Sequence, residues 1–237
     1  MNQGLEFRIK EILISQGADF VFFTDISSLP DEMTKGYPRA ILFGIPLSPN
    51  YLKKIIDTPD YVETIKRNNT IDSDEFHITE VKTDALADHL EGILSAEGWN
   101  AFSQSEKNLA NAELYDFKNK RSSLPHKTIA RIAGLGRIGI NNLLINDRYG
   151  CALSMCSVIT DAPLETNSQY SPPQPANCGT CNICVDACKT GALSGSNWLP
   201  GKDRNEIINI QSCTTCLLCL ALCPWSIKYM KKGLSSH

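Results

Sequence analysis

Apolar positions near the N-terminus recur at helical spacing and then give way to aromatic and β-branched residues. The segment LEFRIKEILISQG, over 5–17, predicts a helix that ends at Gly17. The next segment, DFVFFTDIS, predicts a buried strand, and AILFGIP, over 40–46, predicts a second one. The first part of the chain is therefore predicted to mix helices with strands.

The helical pattern returns over 58–68 and over 78–97, where it stops at Gly98. The segment WNAFSQ that follows predicts a strand, and the polar stretch 104–124 predicts a loop.

Pro125 favours the start of a helix over about 126–133, because the first helical position needs no amide hydrogen. Strands are predicted over 142–146 and 151–160.

A stretch rich in Pro, Ser and Asn, over 165–177, predicts a linker. It divides the chain into a first domain, 1–170, and a cysteine-rich second domain, 171–237. A length of 237 residues with 42% hydrophobic content suits one large and one small domain. The net charge of −3 offers polyphosphate no general attraction, so we do not expect nucleic-acid binding.

The N-terminus, MNQGLEFRIK, has charges where a signal peptide has an apolar core. The longest apolar run, from Cys216 to Trp225, is about half as long as a bilayer-spanning helix. We therefore expect a cytoplasmic protein that contacts no membrane. In that reducing compartment the ten cysteines favour metal ligation over disulfides.

Eight of the cysteines form two runs with the same C-x2-C-x2-C-x3-C spacing. The runs are Cys178, Cys181, Cys184 and Cys188, and then Cys213, Cys216, Cys219 and Cys223. Bacterial ferredoxins with two [4Fe–4S] clusters have this spacing, and the fourth cysteine of each run ligates the other cluster. A zinc ribbon uses paired C-x2-C knuckles and a disulfide framework needs an oxidising compartment, so neither explains the repeat.

We therefore predict two [4Fe–4S] clusters with crossed ligands. The first thiol set is Cys178, Cys181, Cys184 and Cys223. The second thiol set is Cys188, Cys213, Cys216 and Cys219. Lys189 replaces the proline that usually follows such a run, which removes no ligand, and Trp225 is predicted to shield a cluster from water.

Cys151 and Cys156 lie outside the runs, in a predicted strand, where their odd separation places them on opposite faces. We interpret both as small buried apolar residues, although one of them could approach a cofactor.

The segment GLGRIG, over 134–139, matches the dinucleotide-binding fingerprint at Gly134, Gly136 and Gly139. A working fingerprint follows a strand and opens a helix, whereas here a predicted helix precedes it and an extended segment follows. We therefore do not expect it to bind a nicotinamide cofactor.

The string AGLGRIGINNLLI, over 133–145, followed by VITDAPL and the two cysteine runs, resembles the epoxyqueuosine reductase family, which is related to the reductive dehalogenases. The resemblance covers about 119–225 well and the N-terminal part loosely. It implies an α+β protein with a nitroreductase-like domain that holds base-off cobalamin, followed by a bacterial ferredoxin-like 2[4Fe–4S] domain. The residues of the string that the resemblance implies as cofactor contacts are Gly134, Leu135, Gly136, Gly139 and Asn141.

Three features depart from the family. Lys120 falls where the family has its catalytic aspartate, and Ile140 falls where it has the lysine of a G-K-N step. The sequence also stops at His237, before the helical-repeat extension with which epoxyqueuosine reductases hold transfer RNA. We therefore expect that transfer RNA is not the substrate.

Four residues are candidates for a replacement acid: Tyr115, Asp116, Lys120 and His126. We favour Tyr115 and His126 as catalytic residues, because their protons suit acid catalysis.

The leading hypothesis is an iron–sulfur oxidoreductase that passes low-potential electrons through both clusters to a corrinoid, which reduces a small organic substrate. Its electron donor would be a protein such as ferredoxin or flavodoxin. A second hypothesis is a non-catalytic electron carrier or reductive activator for a partner redox protein, and a third is a nitroreductase-like domain that binds flavin. Cobalt binding separates the first hypothesis from the other two.

Overall fold

The computed structural model describes residues 4–166 and 178–235. They form two compact units, each built from three stretches of chain. Unit 1 comprises 4–45, 79–134 and 154–166, and unit 2 comprises 46–78, 135–153 and 178–235. The predicted division at residues 170 and 171 stays a prediction, and the predicted linker lies outside the described residues from position 167 onward.

The helices are α1 (Leu5–Ser15), α2 (Asp31–Thr34), α3 (Pro49–Asp57), α4 (Tyr61–Arg67), α5 (Glu75–Ala96), α6 (Glu106–Asn111), α7 (His126–Ile132), α8 (Ile183–Asp186), α9 (Leu218–Ala221) and α10 (Pro224–Leu234). The strands are β1 (Phe20–Asp25), β2 (Arg39–Pro46), β3 (Ala101–Ser103), β4 (Tyr115–Asp116), β5 (Arg121–Ser122), β6 (Arg137–Ile138), β7 (Leu144–Ile145) and β8 (Leu153–Thr160). Two short 3₁₀ helices cover Ile71–Ser73 and Arg204–Glu206.

A four-stranded sheet with the order β1-β2-β8-β3 forms the centre of unit 1. β1 and β2 are antiparallel, with Phe22 opposite Leu42, and β3 and β8 are antiparallel, with Phe102 opposite Ile159. The buried apolar side chains of α1, α5, β2 and β8 form one core. Mixed helices and strands confirm the predicted α+β class, and α1, α5, β1 and β2 lie where the sequence predicts them.

The predicted loop over 104–124 is wrong in part, because it contains the helix α6. Ser105 caps this helix by accepting a hydrogen bond from the amide of Asn108 at 3.4 Å. Leu109 is the buried apolar residue of the helix. A helix with a single buried apolar residue shows no hydrophobic periodicity, so the sequence pattern could not predict this helix.

Unit 2 contains a second apolar core, in which α3, α4 and α9 contribute buried side chains and α10 packs partly buried side chains against them. Asp74 is buried, and its carboxylate accepts hydrogen bonds from the hydroxyls of two residues of this core, Tyr51 at 2.6 Å and Tyr61 at 2.7 Å. β6 and β7 form an antiparallel hairpin in the same unit. In the described parts of the chain, no helix combines the length and the apolar character needed to cross a bilayer.

Candidate metal centre

The four side chains of the first thiol set line a single cavity of about 150 Å³ in unit 2. Three of them come from the first cysteine run, and Cys223 comes from the second run. Ile140, Ile145 and Trp225 form apolar parts of the wall. The structure therefore brings together the crossed set that the ferredoxin spacing predicts, although the ligand assignment itself stays a prediction.

Local structure explains why these thiols converge. A tight turn closes with the amide of Cys181 donating to the carbonyl of Cys178 at 2.9 Å, and the intervening Gly179 has a φ of +54°. Cys184 lies in the short helix α8. Cys223 is the residue before α10, whose first residue, Pro224, needs no amide hydrogen.

Two thiols of the first set have pKa values that are shifted in opposite directions. Burial, followed by the charges of Cys223, Cys178 and Cys181, raises the pKa of Cys184 to about 11. By contrast, a hydrogen bond from Cys151 and the amides of Trp225 and Ser226 lower the pKa of Cys223 to about 6. Four neighbouring thiolates need a positively charged partner, and the iron atoms of a cluster would provide it.

The second thiol set shows the same mutual influence. Burial, followed by the charges of Cys216 and Cys213, raises the pKa of Cys219 to about 12, and Cys188 adds to this effect. Burial also acts on Cys188, but hydrogen bonds from the Thr190 hydroxyl and from backbone amides lower its pKa overall. Cys188, Cys213 and Cys219 are partly buried against a small core that contains Cys184 and Leu193.

The structure also bears on the zinc alternative. Zinc needs its ligands at about 2.0–2.3 Å from one point. Among the described residues, no three His, Cys, Asp or Glu side chains are grouped closely enough to hold one metal ion.

The loop predicted to contact a cofactor has a clear structural role. A Cβ on Gly136 would lie 2.3 Å from the carbonyl oxygen of Ile145, so the β6–β7 hairpin requires a glycine there. At Gly139 an added Cβ would meet the Ile145 side chain at 2.6 Å. Leu135 is buried. At Gly134, which has a φ of +75°, an added Cβ would meet no atom within 4 Å.

The same loop lacks the context of a dinucleotide-binding fingerprint. The helix α7 precedes it and the hairpin strand β6 lies within it, followed by β7. Asn141, also predicted to contact a cofactor, is buried and lines the cavity of the first thiol set.

The candidate acids all lie in unit 1, in different surroundings. Tyr115 is half-buried in β4, with its ring 5.0 Å from that of Phe117. Asp116 is exposed and accepts a hydrogen bond from the Asn119 amide at 3.0 Å. Lys120 is exposed, with a φ of +47°.

His126 begins α7 and ends a chain of hydrogen bonds. The Gln104 amide nitrogen donates to the carbonyl of Leu124 at 2.9 Å, so the amide oxygen faces Ser157 and accepts from its hydroxyl at 2.9 Å. Ser157 must therefore accept from Nδ1 of His126, at 2.9 Å, which leaves the proton on Nδ1. Burial lowers the pKa of His126 to about 4. His126 is thus neutral near pH 7, with its lone pair on Nε2.

The strand predicted over 151–160 begins at Leu153, so Cys151 lies just before it and Cys156 within it. Both are buried, as predicted. Cys156 belongs to the core of unit 1, whereas Cys151 contacts the first thiol set. The sequence suggested that one of the two could approach a cofactor but did not indicate which.

Comparison with known proteins supports this interpretation. Residues 177–227 match the family described as a 4Fe-4S dicluster domain, so the chain contains an iron–sulfur domain. It is 32% identical over 120 residues to an epoxyqueuosine reductase of Leadbetterella byssophila, which covers 42% of this chain and 36% of that protein. An epoxyqueuosine reductase of Pseudomonas aeruginosa is 24% identical over 220 residues, covering 84% of this chain and 54% of that protein.

Solved structures share the fold. An epoxyqueuosine reductase from Streptococcus thermophilus superposes with a TM-score of 0.56 at 15% identity, covering 95% of this chain and 67% of that one. A catabolic reductive dehalogenase superposes with a TM-score of 0.61 at 17% identity, covering 96% of this chain and 33% of that one. The chain spans about a third of the length of the first curated relatives that it matches.

Proposed function

Because this chain is a relative of the epoxyqueuosine reductases, as predicted from its sequence, we propose that it is an iron–sulfur oxidoreductase that reduces a small organic substrate at a corrinoid. Electrons would enter from a donor such as ferredoxin or flavodoxin and cross both [4Fe–4S] clusters. The part before the cysteine runs would be the nitroreductase-like, corrinoid-binding domain.

The observation that carries this proposal is the cavity lined by Cys178, Cys181, Cys184 and Cys223. These thiols come from both cysteine runs, as they do in a two-cluster ferredoxin. Two cubanes held by these thiols would allow the domain to conduct electrons one at a time.

The corrinoid is the less direct part of the proposal. When bound, it would supply a cobalt centre able to perform reductions that protein side chains cannot. Of the glycines in the predicted contact loop, Gly134 has the open space that a ligand needs, whereas Gly136 and Gly139 are packed against Ile145. We therefore propose that the backbone at Gly134 contacts the corrinoid.

The two favoured acids lie in different surroundings. His126 is neutral near pH 7 and has its lone pair on Nε2, so its role would be to accept a hydrogen bond. We therefore propose Tyr115 as the residue that donates a proton to the substrate.

Metal analysis of protein purified without oxygen tests the proposal. Two cubanes predict about eight iron atoms per chain, and reconstitution with cobalamin under reducing conditions should add about one cobalt. Eight iron atoms with no cobalt would favour the electron carrier, and flavin fluorescence after denaturation would favour the flavin-binding alternative. Zinc at the cysteine runs would overturn the proposal altogether.

A further inference from the structure

One side of α10 packs against the core of unit 2. Ser226 is fully buried, and the hydroxyl of Tyr229 donates to the carbonyl of Leu47 at 3.1 Å. A Cβ on Gly233 would lie 2.4 Å from the side chain of Pro49. The three helix residues follow one another at spacings of three and four, so they share one side of α10. This side of the helix is therefore fixed against the core.

The three lysines of α10 lie on the opposite side. Lys231 and Lys232 are three and four positions after Lys228, so the three side chains point in similar directions. A rotation of about 100° per residue places them opposite Ser226. All three lysines are exposed, and the helix contains no acidic residue, although the whole chain has a net charge of −3. This set of three lysines, the lysine face, is a local concentration of positive charge.

Trp225 connects the lysine face to the first thiol set. Its side chain forms part of the wall of the cavity that those four thiols line. Nζ of Lys228 lies 5.7 Å from the centre of the Trp225 ring, and the guanidinium carbon of Arg137 lies 4.6 Å from a ring centre of the same residue. Both distances are within the range of cation–π attraction. Trp225 is half-buried, so one side chain contacts both the predicted cluster site and the charged surface.

We propose that the lysine face is the docking surface for an acidic protein that donates electrons, and that these electrons enter at the cluster held by the first thiol set. In each encounter the donor is oxidised by one electron and this cluster is reduced by one. A patch of one charge attracts a partner of the opposite charge and raises the rate of encounter. This inference rests on the proposed function, because it requires both the cluster and a protein donor.

A nucleic acid is another polyanion that lysines attract. A nucleic acid has no use for a surface beside a cluster, whereas an electron donor must bring its own redox group close to one. The position of Trp225, in contact with both the lysine face and the cavity, therefore favours a protein electron donor.

Stopped-flow spectroscopy of the full chain, with its iron in place and without oxygen, tests the inference. The probe is reduced flavodoxin, an acidic electron carrier, and the loss of cluster absorbance measures the rate of electron transfer. We expect the double variant Lys228→Glu/Lys231→Glu to lower the second-order rate constant by about tenfold or more at low salt. The rate constants of the variant and the unmodified protein should converge at about 0.5 M salt, because salt screens surface charges.

The matched control is Lys10→Glu/Lys107→Glu, which makes the same change in net charge on exposed lysines of unit 1. It should lower the rate constant by at most about threefold. Dithionite, a small reductant that needs no docking surface, should reduce all three proteins at similar rates. A loss that is specific to flavodoxin and to the lysine face therefore reports on docking and not on damage to a cluster.

Single-cluster variants locate the point of entry. Cys216→Ala keeps the first thiol set and should still accept electrons from flavodoxin rapidly. Cys181→Ala keeps the second thiol set and should accept them slowly. Faster transfer to Cys181→Ala than to Cys216→Ala would overturn the inference, because electrons would then enter at the second cluster.

Iron analysis accompanies each measurement. About eight iron atoms in every lysine variant, with equal rates of reduction by flavodoxin, overturns the inference alone. The inference is also wrong if dithionite reduces the clusters and flavodoxin does not. Binding of single-stranded RNA that is lost in Lys228→Glu/Lys231→Glu, with no change in the flavodoxin rate, would assign the lysine face to nucleic acid instead. Few or no iron atoms in the unmodified protein would overturn the proposed function.

Discussion

Units 1 and 2 are similar in size but are built on different interiors. Unit 1 has a sheet covered by long helices, and its core is continuous from α1 through β2 to α5. The cysteine-rich part of unit 2 has helices of only four residues, α8 and α9, and cysteines in its core. A helix of four residues has no stability of its own in water.

This contrast indicates that the two units depend on different sources of stability. Unit 1 buries enough apolar surface to fold on ordinary hydrophobic grounds. In the cysteine runs of unit 2, burial and neighbouring charges raise the pKa values of Cys184 and Cys219, and bound iron would offset the cost of ionising these thiols. Iron should therefore stabilise one unit far more than the other.

Removal of iron by a chelator and an oxidant, without oxygen, should give the largest effect. We expect the amides of α8, α9 and the intervening cysteine loops to lose nearly all protection from hydrogen exchange. The amides of β1 and β2 should keep most of theirs, because their core contains no cluster ligand. Hydrogen-exchange mass spectrometry measures both in one sample.

Variants that lack one predicted cluster ligand should each lose about half of the iron. Cys181→Ala should leave about four iron atoms, held by the second thiol set, and Cys216→Ala should leave about four held by the first. Equal loss of protection in β1 and in α8 after iron removal would contradict the distinction between the units.

The prediction of the cysteine ligands depends on local sequence, whereas their surroundings depend on distant residues. A ligand spacing is a local property, so the two runs could be read directly and the crossed set followed from the ferredoxin pattern. The strands β1 and β2 were also predictable, because both are continuous apolar runs. These features depend on residues that are close together in the chain.

Long-range contacts could not be predicted in this way. Cys151 is 72 positions from Cys223, and only the folded chain shows that the two thiols meet. The tautomer of His126 likewise depends on Gln104 and Ser157, which lie far from it in sequence. The glycines of 134–139 resembled a nucleotide-binding loop, whereas two of them allow a hairpin to close against Ile145.

Asp74→Ala should have the next largest effect, confined to unit 2. The substitution leaves the buried hydroxyls of Tyr51 and Tyr61 without their acceptor, and we expect the free energy of opening α3 to fall by about 3 kcal/mol. Hydrogen exchange of the α3 amides measures this loss. Asp72→Ala is the control, because the Asp72 side chain is 90% exposed. Similar losses of α3 protection in both variants would disprove the role of the hydrogen bonds to Asp74.

A pH dependence specific to unit 1 should follow from His126. Its folded pKa of about 4 lies below the usual 6.5, so the unfolded state binds more protons between these values. The contribution of His126 to the free energy of unfolding should therefore be fully present above pH 6.5. It should fall by roughly 2 kcal/mol as the pH drops toward 4. Exchange rates of β8 amides, compared at each pH with those of His126→Gln, isolate this effect. An identical pH slope in the variant would show that the ring is not held neutral.

The smallest effect should come from two exposed ion pairs, one in each unit. In unit 1, Arg8 donates to both carboxylate oxygens of Glu97, at 3.0 and 2.8 Å, whereas in unit 2 Lys189 pairs with Asp60 through one atom. Bidentate geometry favours the first pair, so a double-mutant cycle should give a coupling of about 0.5 kcal/mol for Arg8 and Glu97.

The pair in unit 2 should give no measurable coupling, because both of its side chains are about half exposed and water competes for them. Lys189→Ala should also keep the full iron content, although Lys189 directly follows the predicted ligand Cys188. Coupling that survives in 1 M salt would show that the pair is less solvated than its exposure suggests. Loss of iron in Lys189→Ala would mean that this residue supports the second thiol set, and that unit 2 depends on surface charge as well as on its clusters.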